Sequence, residues 1–549
     1  MIISFEQSPE GFYRLATLAR DKGELGKALS YCERAINGKG SDEYKLTLAD
    51  ILFRIGRYYD AMDVALEVLA AGTDRKGELY ELLARLTGVT GKVYESVYYI
   101  TEKARLDGDD AALDAIDEMV EDMSEYMDDR RKENELFIVG QEPPKDYTEE
   151  LDRATQMMHA GNYEEAVAIA SAVEPASEYY VDAMDITLKC YVKLGRTALI
   201  APLAKEQLER DPQDTFALYV LIGICKDKSY LPMLDRVGDE AVDLYYATAA
   251  ADAVREYPLA KRLAIRLLRA TPYAPESYFV AAGVHINARD REKGVEILKD
   301  LFGMYDKYPA ALILDGLRRK RHCDVMFSGQ MPDTVHDLLR AYVRKHADTV
   351  RDFTLSMTSD ADFRRALLLL YQADDEEVIG NTLSFMRQAN KKGIDRFFDA
   401  MLLRTSLSPM TKREILAERL LCKEKGRLTV VPNAVPLRVN CAKPANYADY
   451  PKILREAYVD ALSFGVCVMN LRVTKDLETY IDKYYRAYPV LTRYTEAEFT
   501  VALICLLLPE PPAPFPEDVC DYVTAKIFNM TKKEASRVRR LMELADVLD

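Results

Sequence analysis

The sequence contains no tryptophan and only five histidines, and its nine cysteines are scattered along 549 residues. No cysteine pair has C-x-x-C spacing and the histidines form no H-x-x-x-H or H-E-x-x-H, so a zinc site lacks a ligand set. G-x-x-x-x-G-K-[ST], G-x-G-x-x-G and G-x-S-x-G are also absent, which leaves nucleotide binding and serine hydrolysis without a motif. We therefore predict no cofactor, no metal and no enzymatic activity, with a motif-free catalytic site in 318–507 as the alternative.

Long apolar runs are missing as well. The longest, Val501–Leu508, has eight residues and is too short to span a bilayer. The start of the chain has no basic region followed by a long apolar run, which argues against a signal peptide. The odd number of cysteines, most of them among apolar neighbours, indicates buried thiols in a reducing compartment. We expect a cytoplasmic protein that makes no membrane contact.

Basic residues are scarce in the first part of the chain. Residues 1–317 carry 38 Lys and Arg against 58 Asp and Glu, whereas residues 318–549 carry 36 against 32, for a formal net charge of −16. An acidic surface repels nucleic acid and anionic membrane. Any contact with nucleic acid is therefore expected from the C-terminal part.

A short glycine landmark recurs in the first two hundred residues. It begins at Gly23, Gly56, Gly91, Gly161 and Gly195, with intervals of 33 and 35 residues among the first three copies and 34 between the last two. Glycine accepts the left-handed conformation that ends a helix. In most copies a small residue follows five positions later and lets a second helix approach closely. The pattern predicts antiparallel helix pairs.

These repeats resemble tetratricopeptide repeats, whose 34-residue helix-turn-helix has apolar residues of set size at fixed positions. In the first copy the matching residues are Phe12, Leu15, Ala16, Ala19, Gly23, Ala28 and Ala35. The resemblance implies an all-α fold, a right-handed α-solenoid of helix pairs, which an irregular helical C-terminal region would follow.

Periodicity and composition divide the chain into five segments. The acidic stretch Asp114–Glu133 interrupts the repeats, and Pro509–Pro516 is rich in proline. We predict three repeats in 1–106, an acidic helical linker in 107–147, four to five repeats in 148–317, a helical region with a short extended segment near 428–441 in 318–508, and a proline-rich linker with a C-terminal helical hairpin in 509–549.

In the tetratricopeptide family the first helix of each pair lines a concave groove that binds polypeptides. The resemblance implies a groove here made of Tyr13, Thr17, Arg20, Asp50, Arg54, Asp185, Lys189, Lys193, Tyr219 and Phe279. Lys189 and Lys193 share one helix face; they are either a grip for an acidic peptide or carboxylate, or two solvated lysines. The expected function is a non-catalytic scaffold or adaptor with a protein or peptide partner.

The C-terminal tail suggests a different function. Residues 525–540 resemble the helix-turn-helix of bacterial DNA-binding regulators, with Ala525 at the tight contact, Asn529 at the turn, and Thr531 with Glu534 as a capping box. The resemblance implies DNA contacts by Lys532, Lys533, Ser536, Arg537 and Arg540. The chain would then be a transcriptional regulator with a repeat-built sensor. The alternative is a helical hairpin that closes the end of the repeat array.

Overall fold

The protein is described from a computed structural model. It describes residues 8–38, 41–116, 119, 146–159, 161–177, 179–305, 307–320, 322–323, 327–328, 331–389, 391–422, 426–471, 475–508, 520 and 523–547. Most of the predicted acidic helix Asp114–Glu133, and all of the proline-rich run Pro509–Pro516, lie outside these residues.

The chain forms two compact units. Unit 1 combines Met1–Ile116 with Leu339–Asp549, and unit 2 is Asp117–Leu338. Unit 2 is therefore inserted in sequence between the two segments of unit 1.

Three antiparallel helix pairs make up the N-terminal segment of unit 1, and each helix packs against the next along the chain. They are α1 (Pro9–Asp21), α2 (Leu25–Gly38), α3 (Asp42–Ile55), α4 (Tyr58–Ala71), α5 (Lys76–Val89) and α6 (Val93–Asp107). Ala16 on α1 and Ala28 on α2 are fully buried, as is Ala61 on α4. Small side chains let paired helices approach closely, as the sequence pattern predicted.

Glycine ends the first helix of most pairs, and it does so in the left-handed region. The φ angles are 75° at Gly23, 88° at Gly56, 73° at Gly91, 80° at Gly161 and 65° at Gly195. A β-carbon is disfavoured in this conformation, which explains the residue type at the landmark.

Unit 2 continues with helix pairs and ends in a two-stranded ribbon. Its elements are α7 (Thr148–His159), α8 (Tyr163–Ala170), α9 (Tyr180–Lys193), α10 (Thr197–Arg210), α11 (Thr215–Tyr219), α12 (Leu231–Leu234), α13 (Ala241–Ala253), α14 (Tyr257–Ala270), α15 (Pro275–Asn287), α16 (Arg291–Met304), α17 (Ala310–Arg319), β1 (Phe327–Ser328) and β2 (Met331–Pro332). A π-helical turn, Val220–Ile224, directly follows α11. Neither this turn nor the β1–β2 ribbon was predicted from the sequence.

The C-terminal segment of unit 1 is helical apart from one β-hairpin. After α18 (Asp333–His346), which crosses the unit boundary, come α19 (Val350–Ser359), α20 (Ala361–Gln372), α21 (Glu376–Ala389), α22 (Lys392–Met401), α23 (Pro409–Cys422), β3 (Arg427–Val430), β4 (Leu437–Asn440), α24 (Lys452–Cys467), α25 (Lys475–Leu491), α26 (Glu496–Leu507) and α27 (Lys532–Val547). Strands β3 and β4 pair antiparallel. The extended segment predicted near 428–441 is thus a short hairpin.

Buried polar contacts join the two segments of unit 1. The Asp63 carboxylate on α4 accepts hydrogen bonds of 2.6 Å from both the amide and the hydroxyl of Thr405. Arg404 lies 3.3 Å from the same carboxylate. The buried Tyr99 hydroxyl on α6 donates to the Ala434 carbonyl at 2.7 Å. These bonds hold the N-terminal helix pairs against the C-terminal segment.

Lys412 on α23 is fully buried, and its ammonium donates to the Val431 carbonyl at 2.6 Å. Burial lowers the pKa of this ammonium to about 8, while the Asp63 carboxylate opposes the shift. At neutral pH the folded chain therefore keeps a desolvated charge, at a cost of about 3 kcal/mol relative to an unshifted lysine.

We expect Lys412→Met to raise the free energy of unfolding at pH 7 by about 1–2 kcal/mol, since methionine removes the buried charge but leaves the Val431 carbonyl unpaired. Between pH 8 and 10.5, Lys412 is protonated in the unfolded chain but neutral in the folded one. The wild type therefore becomes more stable as pH rises, and the stability advantage of Lys412→Met shrinks. Urea denaturation of both proteins across this range measures the difference. A destabilised variant at neutral pH would contradict the prediction.

The predicted fold class is confirmed. The described residues are all-α apart from the β1–β2 ribbon and the β3–β4 hairpin, and the helix pairs of 9–107 and 148–304 follow the repeat pattern. No helix within the described ranges is long and apolar enough to cross a membrane.

Candidate binding surface

The first helices of unit 1 bring together the predicted groove residues of the first two repeats. Tyr13 on α1 stacks on Tyr44 of α3 with 4.3 Å between ring centroids. Asp50 on α3 lies 3.5 Å from Arg20 of α1 and 3.0 Å from Arg54 on its own helix. Asp50 thus joins the first helices of two successive pairs, α1 and α3. Thr17 donates to the Arg14 carbonyl on its own helix, at 2.9 Å.

In unit 2 the first helices of successive pairs build an aromatic cluster. Phe216 on α11 lies 6.2 Å from Tyr219 and 5.1 Å from Tyr246 of α13, and Tyr219 and Tyr246 are 6.0 Å apart, all between ring centroids. All three rings are half-buried. They therefore form a continuous aromatic platform that solvent still reaches.

A charged pair on α9 borders the platform. The Lys189 ammonium binds the Asp185 carboxylate and lies 5.6 Å from the centroid of the Phe216 ring. Both charged side chains are partly exposed, 37% for Lys189 and 30% for Asp185. We call Asp185, Lys189, Phe216, Tyr219 and Tyr246 the aromatic surface. Three of the five were predicted from sequence.

Two further carboxylates lie in this region. Asp214 caps α11 by accepting the Ala217 amide at 2.8 Å, and its other oxygen accepts the Gln207 side-chain amide at 2.5 Å. Asp243 on α13 accepts the Thr215 hydroxyl at 2.7 Å. Burial raises the pKa of Asp214, with the nearby Asp185 adding to the rise. Burial also raises the pKa of the Tyr246 hydroxyl.

Sequence reasoning missed Phe216 and Tyr246. Phe216 lies one helical turn before Tyr219 and was not assigned to the groove. No repeat was recognised over α13, because the landmark glycine is absent there. Arg255, with φ 64°, stands where a glycine would be expected after α13. A periodic search that tolerated other residues at this position would have included Tyr246.

Two predicted groove residues of unit 2 make no recorded contact with the rings of the aromatic surface. Lys193 is exposed at the end of α9. Phe279 is only 4% exposed and packs edge-on against Tyr308 with centroids 5.5 Å apart. Its assignment to a ligand-binding groove is corrected, because its ring is part of the core.

The C-terminal helix also departs from the DNA-binding expectation. Asn529 does adopt the left-handed conformation, with φ 48°, and Thr531 and Glu534 form the expected reciprocal cap. Arg537, however, is only 30% exposed and is engaged within unit 1. Its guanidinium lies 2.8 Å from the Glu498 carboxylate, which is 2% exposed, and 5.0 Å from the centroid of the Tyr494 ring.

The remaining predicted DNA-contacting residues are exposed: Lys532, Lys533, Ser536 and Arg540. The opposite face of α27 buries Val538, Leu541 and Ala545 completely, and α27 packs against α25 and α26. The helix therefore packs its apolar face against unit 1, and Arg537 takes part in that packing. The side chain of Ala525 lies outside the described residues.

The described part of the chain offers no metal site, and its cysteines are all unpaired with one another. Among the described residues, no group of three or more His, Cys, Asp or Glu could hold a metal ion. All nine cysteines are free thiols; Cys225 is exposed, Cys422 is half-buried and the others are buried. The prediction of buried thiols thus fails at Cys225, which follows the π-helical turn at the surface.

Comparison with known proteins gives structural neighbours alone. No family model and no curated protein matches the chain. Among solved structures, the TPR domain of P58(IPK) is 14% identical and covers 70% of this chain and 99% of its own, with a TM-score of 0.23. Yeast Tom70 is 11% identical and covers 98% and 96%, with a TM-score of 0.20.

The TPR2AB domain of yeast Sti1, in a complex with pHSP90, is 11% identical and covers 54% of this chain and 98% of its own, with a TM-score of 0.19. What characterises the present chain is its own geometry. Its helix pairs are tetratricopeptide-like in their 33–35-residue spacing, in their left-handed glycine turns and in the small residues buried between paired helices.

Proposed function

We propose that this chain is a non-catalytic scaffold that binds polypeptide partners through the aromatic surface of unit 2. The observation that carries the proposal is the platform of Phe216, Tyr219 and Tyr246, half-buried and in mutual contact on successive first helices. Tyrosine beside charged residues is typical of binding hot spots, because a rigid ring supplies much contact area at little cost in conformational entropy.

The helical framework suits this role. Each first helix is fixed by its neighbours, so side chains on it are presented with little rearrangement on binding. The core under the platform is well filled, with Leu218, Leu221 and Ala247 at 0–1% exposure. The three rings therefore pack on the core and remain partly exposed to solvent.

The test is selection of a displayed random peptide library on the full-length chain, followed by affinity measurements on the selected peptides. We expect Tyr219→Ala to weaken binding about 30-fold, the loss typical of a central hot-spot tyrosine, about 2 kcal/mol. Calorimetric titration of wild type and variant measures the change.

Tyr94→Ala is the matched control. Tyr94 is 90% exposed on α6 of unit 1 and lies outside the aromatic surface, so its loss should leave the affinity unchanged. Far-ultraviolet circular dichroism of all three proteins verifies the fold. The proposal fails if selection yields no binder, or if the selected peptides bind Tyr219→Ala as tightly as the wild type.

A further inference from the structure

The region around the aromatic surface has an excess of negative charge. Asp185, Asp214 and Asp243, on or next to α9, α11 and α13, outnumber Lys189 and Lys193 of α9. The surrounding sequence has the same sign, since residues 146–253 carry 20 Asp and Glu against 9 Lys and Arg. The local field thus attracts a cationic ligand and repels an anionic one.

The cation within the aromatic surface, Lys189, is already neutralised. Lys189 is paired with Asp185 four residues earlier on the same helix. An acidic ligand would have to separate this pair and approach the other carboxylates. This arrangement favours a ligand of the opposite charge to the acidic peptide that the Lys189 and Lys193 pattern suggested.

The rings themselves favour a cation. Lys189 lies 5.6 Å from the centroid of Phe216, a distance at which the negative face of the ring attracts a positive charge. Tyr219 and Tyr246 extend the same platform. Arginine suits such a platform better than lysine, because its planar guanidinium stacks on a ring and can bind a carboxylate through two parallel hydrogen bonds.

We propose that the aromatic surface recognises a basic segment of a partner polypeptide, with an arginine side chain stacked on Tyr219 and Tyr246 and the Asp185 and Asp243 carboxylates supplying the counter-charge. This inference rests on the proposed function and names the chemistry of the partner. Lys189 then competes with the ligand for Asp185. Its ammonium binds the Asp185 carboxylate in the free protein, and an incoming arginine must displace it from one carboxylate oxygen.

The test uses three synthetic peptides of equal length, built on a glycine–serine backbone and carrying three arginines, three lysines or three glutamates. Calorimetric titration against the full-length chain at low ionic strength should rank their affinities arginine, then lysine, with no binding by the glutamate peptide. Raising the salt concentration should weaken the arginine peptide, because its binding is electrostatic.

Variants separate recognition from a general attraction to an acidic protein. Tyr246→Ala and Asp185→Asn should each weaken the arginine peptide at least 10-fold. Glu209→Gln removes the same charge from an exposed position on α10 and should change the affinity less than twofold. Lys189→Ala should bind the arginine peptide as tightly as the wild type or up to about threefold more tightly, since the competing cation is gone.

The outcomes discriminate between the two proposals. Binding of the glutamate peptide that Lys189→Ala abolishes would overturn the basic-segment inference and leave the proposed function standing. Equal effects of Asp185→Asn and Glu209→Gln would overturn the inference too, as an unspecific attraction. If neither these peptides nor any displayed peptide binds, both proposals fall.

Discussion

Replacing Arg537 by alanine is expected to lower the free energy of unfolding of unit 1 by about 2–3 kcal/mol, the cost of leaving a buried carboxylate oxygen without its partner. Glu498 is 2% exposed and lies 2.8 Å from the guanidinium. Its other oxygen stays bound to the Thr495 amide at 2.8 Å. Urea denaturation, with amide hydrogen exchange of α26 and α27 as a local probe, measures the loss.

Arg540→Ala is the control from the same helix. Arg540 is exposed, so its removal should change stability by less than about 0.5 kcal/mol. The pair also tests the helix-turn-helix expectation with labelled duplex DNA. Salt-dependent DNA binding that both substitutions reduce, without loss of stability in Arg537→Ala, would contradict the structural role assigned to Arg537.

Asp63→Ala is expected to destabilise unit 1 by about 3 kcal/mol, because it removes the acceptor of three groups at a buried contact. The Thr405 amide and hydroxyl both donate to this carboxylate at 2.6 Å, and Arg404 lies 3.3 Å away. Limited proteolysis and denaturation of the full chain should show earlier exposure of the contact between α4 and the segment after α22.

Glu67→Ala on the same helix is the comparison. Glu67 is 61% exposed and pairs with Lys45 at 2.7 Å; exposed pairs of this kind contribute at most about 1 kcal/mol. Asp63→Asn should fall between the two, since it keeps an acceptor for Thr405 but loses the charge beside Arg404. Equal stability of Asp63→Ala and Glu67→Ala would show that the contact does not hold the two segments together.

Local features of the fold could be predicted because single residues determine them. Left-handed turns favour glycine or asparagine, and both Gly56 and Asn529 adopt that conformation. Close helix pairing requires small residues, and Ala28 and Ala61 are fully buried. The β-branched residues and two prolines after Leu428 likewise indicated an extended segment.

Long-range association could not be predicted, because periodicity says nothing about which repeats meet outside their neighbours. Asp63 has the sequence signature of an ordinary exposed helix residue, yet it is buried against Thr405, 342 positions later. Arg537 likewise fitted a DNA-binding pattern, since a surface arginine and one that reaches a buried glutamate look alike in sequence.

The aromatic surface was partly predicted. Asp185, Lys189 and Tyr219 were assigned from the tetratricopeptide resemblance, and the structure places them together. The ligand charge that we infer for this surface rests on the Asp185–Lys189 pair and on Asp214 and Asp243. The sequence could not show these residues in one place, because tertiary structure brings their helices together. Phe279 shows the opposite limit: an aromatic residue at a first-helix position can belong to the core.

Insertion of unit 2 within unit 1 has a consequence for biosynthesis. Tyr99 and its acceptor Ala434 are separated by 335 residues, so at about 5–20 residues per second the ribosome needs roughly 20–70 seconds to deliver the second after the first. Throughout that interval the docking face of the N-terminal helices is uncovered, while unit 2 emerges and can fold. The contact between α6 and Ala434 therefore cannot form until unit 2 has been synthesised.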